Sequence, residues 1–171
     1  MDLASFLRDV PDFPKPGILF KDISPMLASP EAMRAVTDRF ATLDFGRVDK
    51  IAGIESRGFL FGVPLAMQLG VGFIPIRKPG KLPAKTRSVQ YDLEYGSDSV
   101  EMHEDAVAAG ERVLVIDDLL ATGGTMAAAA QLVDACGGTV AGCACVIELA
   151  FLQARANALA ERRCESLVVV G

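Results

Sequence analysis

Residues 113–125 read VLVIDDLLATGGT, and the chemistry they suggest lies in an acidic pair and a small-residue turn. Asp117 and Asp118 follow an apolar run, Val113, Leu114, Val115 and Ile116. The run has no polar alternation, as in a strand buried on both faces of a parallel sheet. Ala121, Thr122, Gly123, Gly124 and Thr125 then lead into an alanine-rich stretch that reads as helix. Glycines let the backbone curl until its N–H groups converge on an anion, and the N-terminus of the following helix adds positive potential. The turn therefore suits the phosphate of a sugar phosphate. The carboxylates would repel that phosphate, but they suit ribose hydroxyls or a divalent cation. A lone Gly-Gly would read as an ordinary strand-to-helix turn; the composite is much more specific.

Two more basic segments sit where strands should end. Residues 50–54, KIAGI, read as a strand running into Glu55-Ser56-Arg57-Gly58. Residues 72–76, GFIPI, read as a strand running into Arg77, Lys78 and Lys81. Ligands of open α/β sheets bind beyond the carboxyl ends of the strands. Cations gathered at that rim, on a chain of net charge −5, point to a polyanionic ligand. No G-x-x-x-x-G-K-[ST] and no G-x-G-x-x-G after a strand occurs, so neither a P-loop nor a dinucleotide site has support.

The elements that must position these groups alternate along the chain. The 171 residues fit one domain, residues 1–171, with a sizeable core. Residues 1–29 form a hood segment, stiffened by Pro11, Pro14, Pro16 and Pro25, and expected to be irregular rather than woven into a sheet. Ser29-Pro30 reads as N-cap and first residue of a helix. Further helices are expected at 58–69, from the Gly-Gly turn to about Cys136, and at 152–161; further strands at 139–147 and 167–170. Residues 79–103 supply a flap and a hairpin. The stretch 81–89, with Lys81, Lys85 and Arg87, reads as a mobile flap closing over charged substrate. In YDLEYG, Glu94 alternates with Tyr91, Leu93 and Tyr95, which by pattern alone makes it a solvent-facing strand residue. Alternating strands and helices give an α/β fold with a doubly wound, mostly parallel sheet.

The net charge argues against a nucleic-acid partner, and no apolar stretch reaches the length of a membrane span. MDLASFLRDV lacks the basic start and apolar core of a signal peptide, so a cytoplasmic location is expected. Cys136, Cys143, Cys145 and Cys164 have no metal-ligand spacing; Cys143 and Cys145 should share one strand face as small hydrophobes. His103 reads as a polar residue near a strand end.

Together FPKPGILFKDISP, GIESRGF, RKPGKLP, YDLEYG, VIDDLLATGGT and IELAFL resemble the adenine-specific branch of the type I phosphoribosyltransferase family, in order and spacing over residues 13–152. The resemblance implies the type I fold with its hood and flap, magnesium, a homodimer, and a role in purine salvage. The reaction it implies converts adenine and 5-phosphoribosyl 1-diphosphate to AMP and diphosphate. Ala121 to Thr125 would hold the 5-phosphate, and Asp117 and Asp118 the ribose. Arg57, Lys78 and Lys81 would neutralise the diphosphate, assisted by Arg77, in the family from the neighbouring subunit. Phe20 would stack on adenine while the backbone at Leu19 and Lys21 reads its edge. Glu94 would manage the base proton, against its pattern-only reading. Magnesium would be held mainly through substrate oxygens. Lys21 stands where many relatives carry arginine, and Ala154 where a glycine is common.

Two alternatives stay open on the residues alone. One is a module that senses phosphoribosyl diphosphate without turning it over; the flap acid argues against it. The other is a transferase for xanthine, guanine or orotate, against which the FKDISP hood argues.

Overall fold

The computed structural model describes residues 1–92 and 96–171. Leu93, Glu94 and Tyr95 lie outside them, so the expectation for Glu94 and the tip of the hairpin is not addressed structurally.

The chain opens with a 3-10 turn, Leu3–Phe6, and a two-stranded antiparallel ribbon, β1 (Arg8–Pro11) and β2 (Leu19–Asp22). The hood is thus paired, not irregular. Pro11 closes β1, and Pro14 and Pro16 fall in the connection, so Arg8, Asp9 and Val10 remain free to form a ladder. Cross-strand charges fix the register: Arg8 meets Asp22 at 2.5 Å and Lys21 meets Asp9 at 2.6 Å. Two helices follow, α1 (Ser24–Leu27) and α2 (Pro30–Thr42). The Ser29 hydroxyl accepts from the N–H of Ala32 at 3.1 Å, the N-cap expected from Ser-Pro.

Next come β3 (Lys50–Ile54), α3 (Arg57–Leu69), β4 (Gly72–Ile76), the hairpin β5 (Thr86–Asp92) and β6 (Ser97–His103), β7 (Arg112–Leu120), α4 (Gly124–Ala135), β8 (Thr139–Leu149), and β9 (Cys164–Val170). Five strands form one parallel sheet in the order β4-β3-β7-β8-β9. From β3 the chain winds outward to β4, returns past β3, and winds the other way through β7, β8 and β9. That is the doubly wound arrangement, with its reversal between β3 and β7.

Strand alternation divides the core between two layers. Ile51, Leu114, Ile116, Ala144 and Val146 pack with α2 and α3; Ala52, Ile54, Val113, Val115, Cys143 and Cys145 pack with α4 and the hairpin. Cys143 and Cys145 do share a face, and burial pushes the Cys143 thiol up to about 12, so it has no thiolate chemistry near neutral pH. His103 ends β6, where its Nε2 accepts from the N–H of Ala84 at 3.3 Å.

Two further expectations change. The flap is shorter than 81–89, because the hairpin ladder already runs from Thr86↔His103 to Asp92↔Ser97, with Val89 and Tyr91 half-buried against the core. The helix expected at 152–161 is absent: a short 3-10 turn, Ala150–Leu152, is followed by successive turns. Gln153 adopts a left-handed φ of 55°, which stops a helix, and Ala154 and Leu159 then point into the core.

Candidate active site

The reversal of strand order leaves a crevice between the carboxyl ends of β3 and β7, and the charged residues meet there. β7 does not stop at the apolar run. Its ladder to β8 continues to Leu120↔Glu148, so Asp117 and Asp118 stand on a held strand rather than on a loop. Asp118 is buried, and Arg57 at the start of α3 places its Nε 3.0 Å from Oδ2 of Asp118. Gly58 is what allows α3 to approach so closely. A Cβ there would fall 2.8 Å from the carbonyl oxygen of Ile116 and 3.1 Å from Oδ1 of Asp117.

Burial raises the pKa of Asp117 well above the usual carboxylate range, and the neighbouring Asp118 charge raises it further. Burial raises Asp118 as well, opposed by Arg57. One guanidinium therefore faces two acids, leaving a negative balance suited to hydroxyl donors or a divalent cation.

Beyond the acids, Ala121, Thr122, Gly123, Gly124 and Thr125 curl into the N-terminus of α4. With Asp117 and Leu120 they line a cavity of about 80 Å³. That is far below the roughly 300 Å³ of a pocket for a whole ligand, so it takes one substituent, such as a phosphate. Gly123 has φ +87°, and a Cβ on it would also stand 3.0 Å from the Ala154 Cβ; only glycine serves here.

At the end of β4, Arg77 and Lys78 are tied back to the sheet by a residue that sequence reasoning overlooked. Glu55 Oε2 accepts from Arg77 Nε at 3.0 Å and from the Lys78 N–H at 2.9 Å. Its signal lay in GIESRGF, a carboxylate at a strand end beside a basic neighbouring strand end. Lys78 Nζ donates to Tyr91 Oη at 2.8 Å and to the Asp98 carboxylate, both on the hairpin. Burial alone would lower the Lys78 pKa, but these hydrogen bonds leave it raised, and Lys78 in turn holds Asp98 below the ordinary range. Lys81 is exposed and has no ion-pair partner among the described residues.

The hood reaches the same crevice. Phe20 lies under the Arg57 guanidinium, 5.7 Å from its carbon to the ring centroid, and meets Phe13 edge-on at 5.1 Å. Val10, Phe13, Phe20 and Asp22 line an open apolar recess. Among the described residues β2 pairs only with β1, and Leu19 and Lys21, two residues apart, direct their main-chain groups to the same edge. The Lys21 ammonium is spent on Asp9. Among the described residues no cluster of three or more metal-ligating side chains occurs.

The phosphoribosyl transferase domain family matches residues 26–166. Adenine phosphoribosyltransferase of Acaryochloris marina is 57% identical over 157 residues, covering 91% of this chain and 92% of the relative. The crystal structure of adenine phosphoribosyltransferase from Thermoanaerobacter pseudethanolicus superposes with a TM-score of 0.95 at 50% identity, covering 98% of each chain. The Saccharomyces cerevisiae enzyme, complexed with D-2,5-dideoxy-2,5-imino-altritol 1,6-bisphosphate and adenine, gives 0.87 at 39% identity, covering 97% of this chain and 95% of the yeast chain. A turn for one phosphate, an acid pair with Asp118 buried, cations at two strand ends and an aromatic hood are thus found in a chain that belongs to the phosphoribosyltransferase family, in its adenine phosphoribosyltransferase branch.

Proposed function

We infer that the chain transfers the 5-phosphoribosyl group of 5-phosphoribosyl 1-diphosphate to adenine, giving AMP and diphosphate, a reaction of purine salvage. The observation that carries this reading is the position of Arg57, between the acid pair on one side and Phe20 on the other. The sugar and the base would flank one guanidinium, and the anomeric carbon would lie close to it.

Ala121, Thr122, Gly123, Gly124 and Thr125 hold the 5-phosphate, while Asp117 and Asp118 accept from the ribose hydroxyls. As diphosphate departs, the ribose acquires oxocarbenium character, and charge builds on the leaving oxygens. Arg57, Lys78 and Lys81 stabilise that charge, with Arg77 assisting. Lys78 would exchange its contact with Asp98 for the diphosphate to do so. Phe20 stacks on adenine while the main chain at Leu19 and Lys21 reads its edge. Glu94, on the segment outside the described residues, manages the base proton. Magnesium fits the negative balance at the acid pair. It would be held mainly by substrate oxygens, near Asp117 and Asp118, and would supply charge neutralisation.

A homodimer belongs to the same reading. Leu60, Val63 and Met67 form an exposed apolar stripe at i, i+3 and i+7 along α3, the kind of face that a second copy covers. A reducing, cytoplasmic setting is supported by four free cysteines, three of them buried.

The test is to incubate the purified protein with phosphoribosyl diphosphate, magnesium and each nucleobase in turn. AMP from adenine, with little nucleotide from hypoxanthine or guanine, is the expected result. Comparable turnover of hypoxanthine would overturn the adenine assignment.

A further inference from the structure

The segment after β8 carries a charged network that the reaction above does not use. Glu148, next to last in β8, is 6% exposed, and the Arg155 guanidinium grips it through Nε at 2.9 Å and Nη2 at 2.7 Å. The same guanidinium donates to the Ser166 hydroxyl at 2.8 Å and to the main-chain oxygen of Cys164, both on β9. Ser166 in turn donates to Glu148 at 2.5 Å. Arg155 thus staples the turns that replace the expected helix onto the ends of two strands. Arg162, at 2.5 Å from Asp134 on α4, ties the far end.

Those turns form the back wall of the phosphate turn. Ala154 immediately precedes Arg155, and a Cβ on Gly123 would meet the Ala154 Cβ at 3.0 Å and the Ala158 Cβ at 3.1 Å. Ala154 and Leu159 are buried in the core that also holds Met126 at the start of α4. The left-handed Gly123 turn has the acidic strand on one side and this stapled segment on the other. Misplacing a wall by about 1 Å can cost up to 10²-fold even far from the chemistry.

We propose that Arg155 is a positioning residue for the sugar phosphate: through Glu148, Ser166 and Cys164 it presses Ala154 and Ala158 against Gly123 and so fixes the N–H groups that receive the 5-phosphate. This rests on the assignment of Ala121 to Thr125 as the phosphate turn, and it extends the site to a residue outside every motif that touches substrate. Ligands bearing a 5-phosphate depend on the staple; the base does not.

The experiment compares AMP affinity by calorimetry with steady-state KM values for Arg155→Met, Glu148→Gln/Arg155→Met, Ser166→Ala and Gly123→Ala. The double variant removes the charge that Arg155→Met would leave buried and unpaired. Arg155→Met should raise the AMP Kd and the phosphoribosyl diphosphate KM by about tenfold, leaving the adenine KM and kcat near parent values. Ser166→Ala, which disturbs the fold least, should move the same two constants in the same direction by a smaller factor. Parent-like AMP affinity in a folded Arg155 variant overturns the proposal, as does equal weakening of AMP and adenine. If neither Arg155 variant folds, parent-like AMP affinity in Ser166→Ala overturns it. Gly123→Ala, which breaks the left-handed turn that aims those N–H groups, separates the two levels: if it leaves AMP affinity intact, the phosphate assignment itself fails, and the proposal with it.

Discussion

Glu55 and Arg77, at the ends of neighbouring parallel strands, are locked by a hydrogen bond of 3.0 Å from Nε to Oε2, and the same oxygen holds the main chain of Lys78. The loop that carries Arg77, Lys78 and Lys81 is therefore anchored through a carboxylate. Each of three cations at the site has an acid of its own: Arg57 has Asp118, Arg77 has Glu55, and Lys78 has Asp98.

Glu55→Gln should therefore act on diphosphate handling without emptying the base site. An amide keeps one acceptor but loses the charge, and charge-assisted hydrogen bonds contribute about 1.5–3 kcal/mol each. A fall of about tenfold or more in kcat/KM for phosphoribosyl diphosphate is expected, with the adenine KM little changed. Steady-state kinetics decide it; parent-like values would remove Glu55 from the loop's support.

Lys81→Ala tests the proposed leaving-group role more cleanly than Arg57→Ala. Lys81 is exposed and pairs with no described residue, whereas removing Arg57 also strands the buried Asp118. Turnover should drop on the order of 10²-fold, with AMP binding and the melting temperature nearly unchanged, since AMP lacks the diphosphate. An equal loss of AMP affinity would move Lys81 to the 5-phosphate.

Gly58→Ala should damage both fold and turnover. Its Cβ would sit 2.8 Å from the Ile116 carbonyl, and backbone cannot step aside as a flexible side chain can. Overpacking of this kind costs about 1–3 kcal/mol. Urea unfolding measures the loss directly. An unchanged midpoint would mean that α3 slides outward freely, and the Arg57–Asp118 contact would then need another explanation.

The acid pair should make stability fall with rising pH. Folding lifts the Asp117 pKa above the 3.8 of a free carboxyl, so the folded state binds the extra proton in that interval. The stabilisation is complete below 3.8 and is lost as pH climbs through the raised folded value. Asp117→Asn, which cannot ionise, should melt higher than the parent at pH 8, with the gap closing towards pH 4, while losing most turnover. A constant gap across that range would mean that Asp117 titrates normally.

Phe20→Ala should weaken every nucleobase and change their ranking little. Base-aromatic stacking contributes about 1–3 kcal/mol and tolerates any base, whereas discrimination would come from the main chain of Leu19 and Lys21. Competition between adenine and hypoxanthine in parent and variant separates the two effects. A collapse of the adenine preference in the variant would give the ring, not the backbone, the reading role.

Much of this was legible in the residues, and the reasons differ from place to place. KIAGI and GFIPI announced their strands because apolar runs buried on two faces carry no competing pattern. Asp117 to Thr125 could be recognised because each part of that segment serves one function next to another. The hood was misjudged because its prolines were weighed as a density; their positions, which spare Arg8 to Val10, mattered more. The tail was misjudged because an alanine- and leucine-rich stretch has good helix propensity, and the left-handed Gln153 and the inward pull of Ala154 and Leu159 are tertiary effects. Glu55 left only the trace in GIESRGF, a carboxylate at one strand end whose cationic partners follow another. Arg155 could not be found from spacing at all, because its partners stand on strands that become neighbours only once the sheet is assembled.

Among the described residues the two-stranded hood shares no hydrogen-bonded strand with the five-stranded sheet. On the proposed reading, recognition of the nucleobase is therefore mounted on a separate piece of backbone from the machinery that handles the sugar phosphates. Such a division permits independent drift: a lineage could exchange residues 8–22 and acquire a new base while inheriting the transfer chemistry intact. In that sense the hood is an interchangeable faceplate, and the sheet behind it is the instrument.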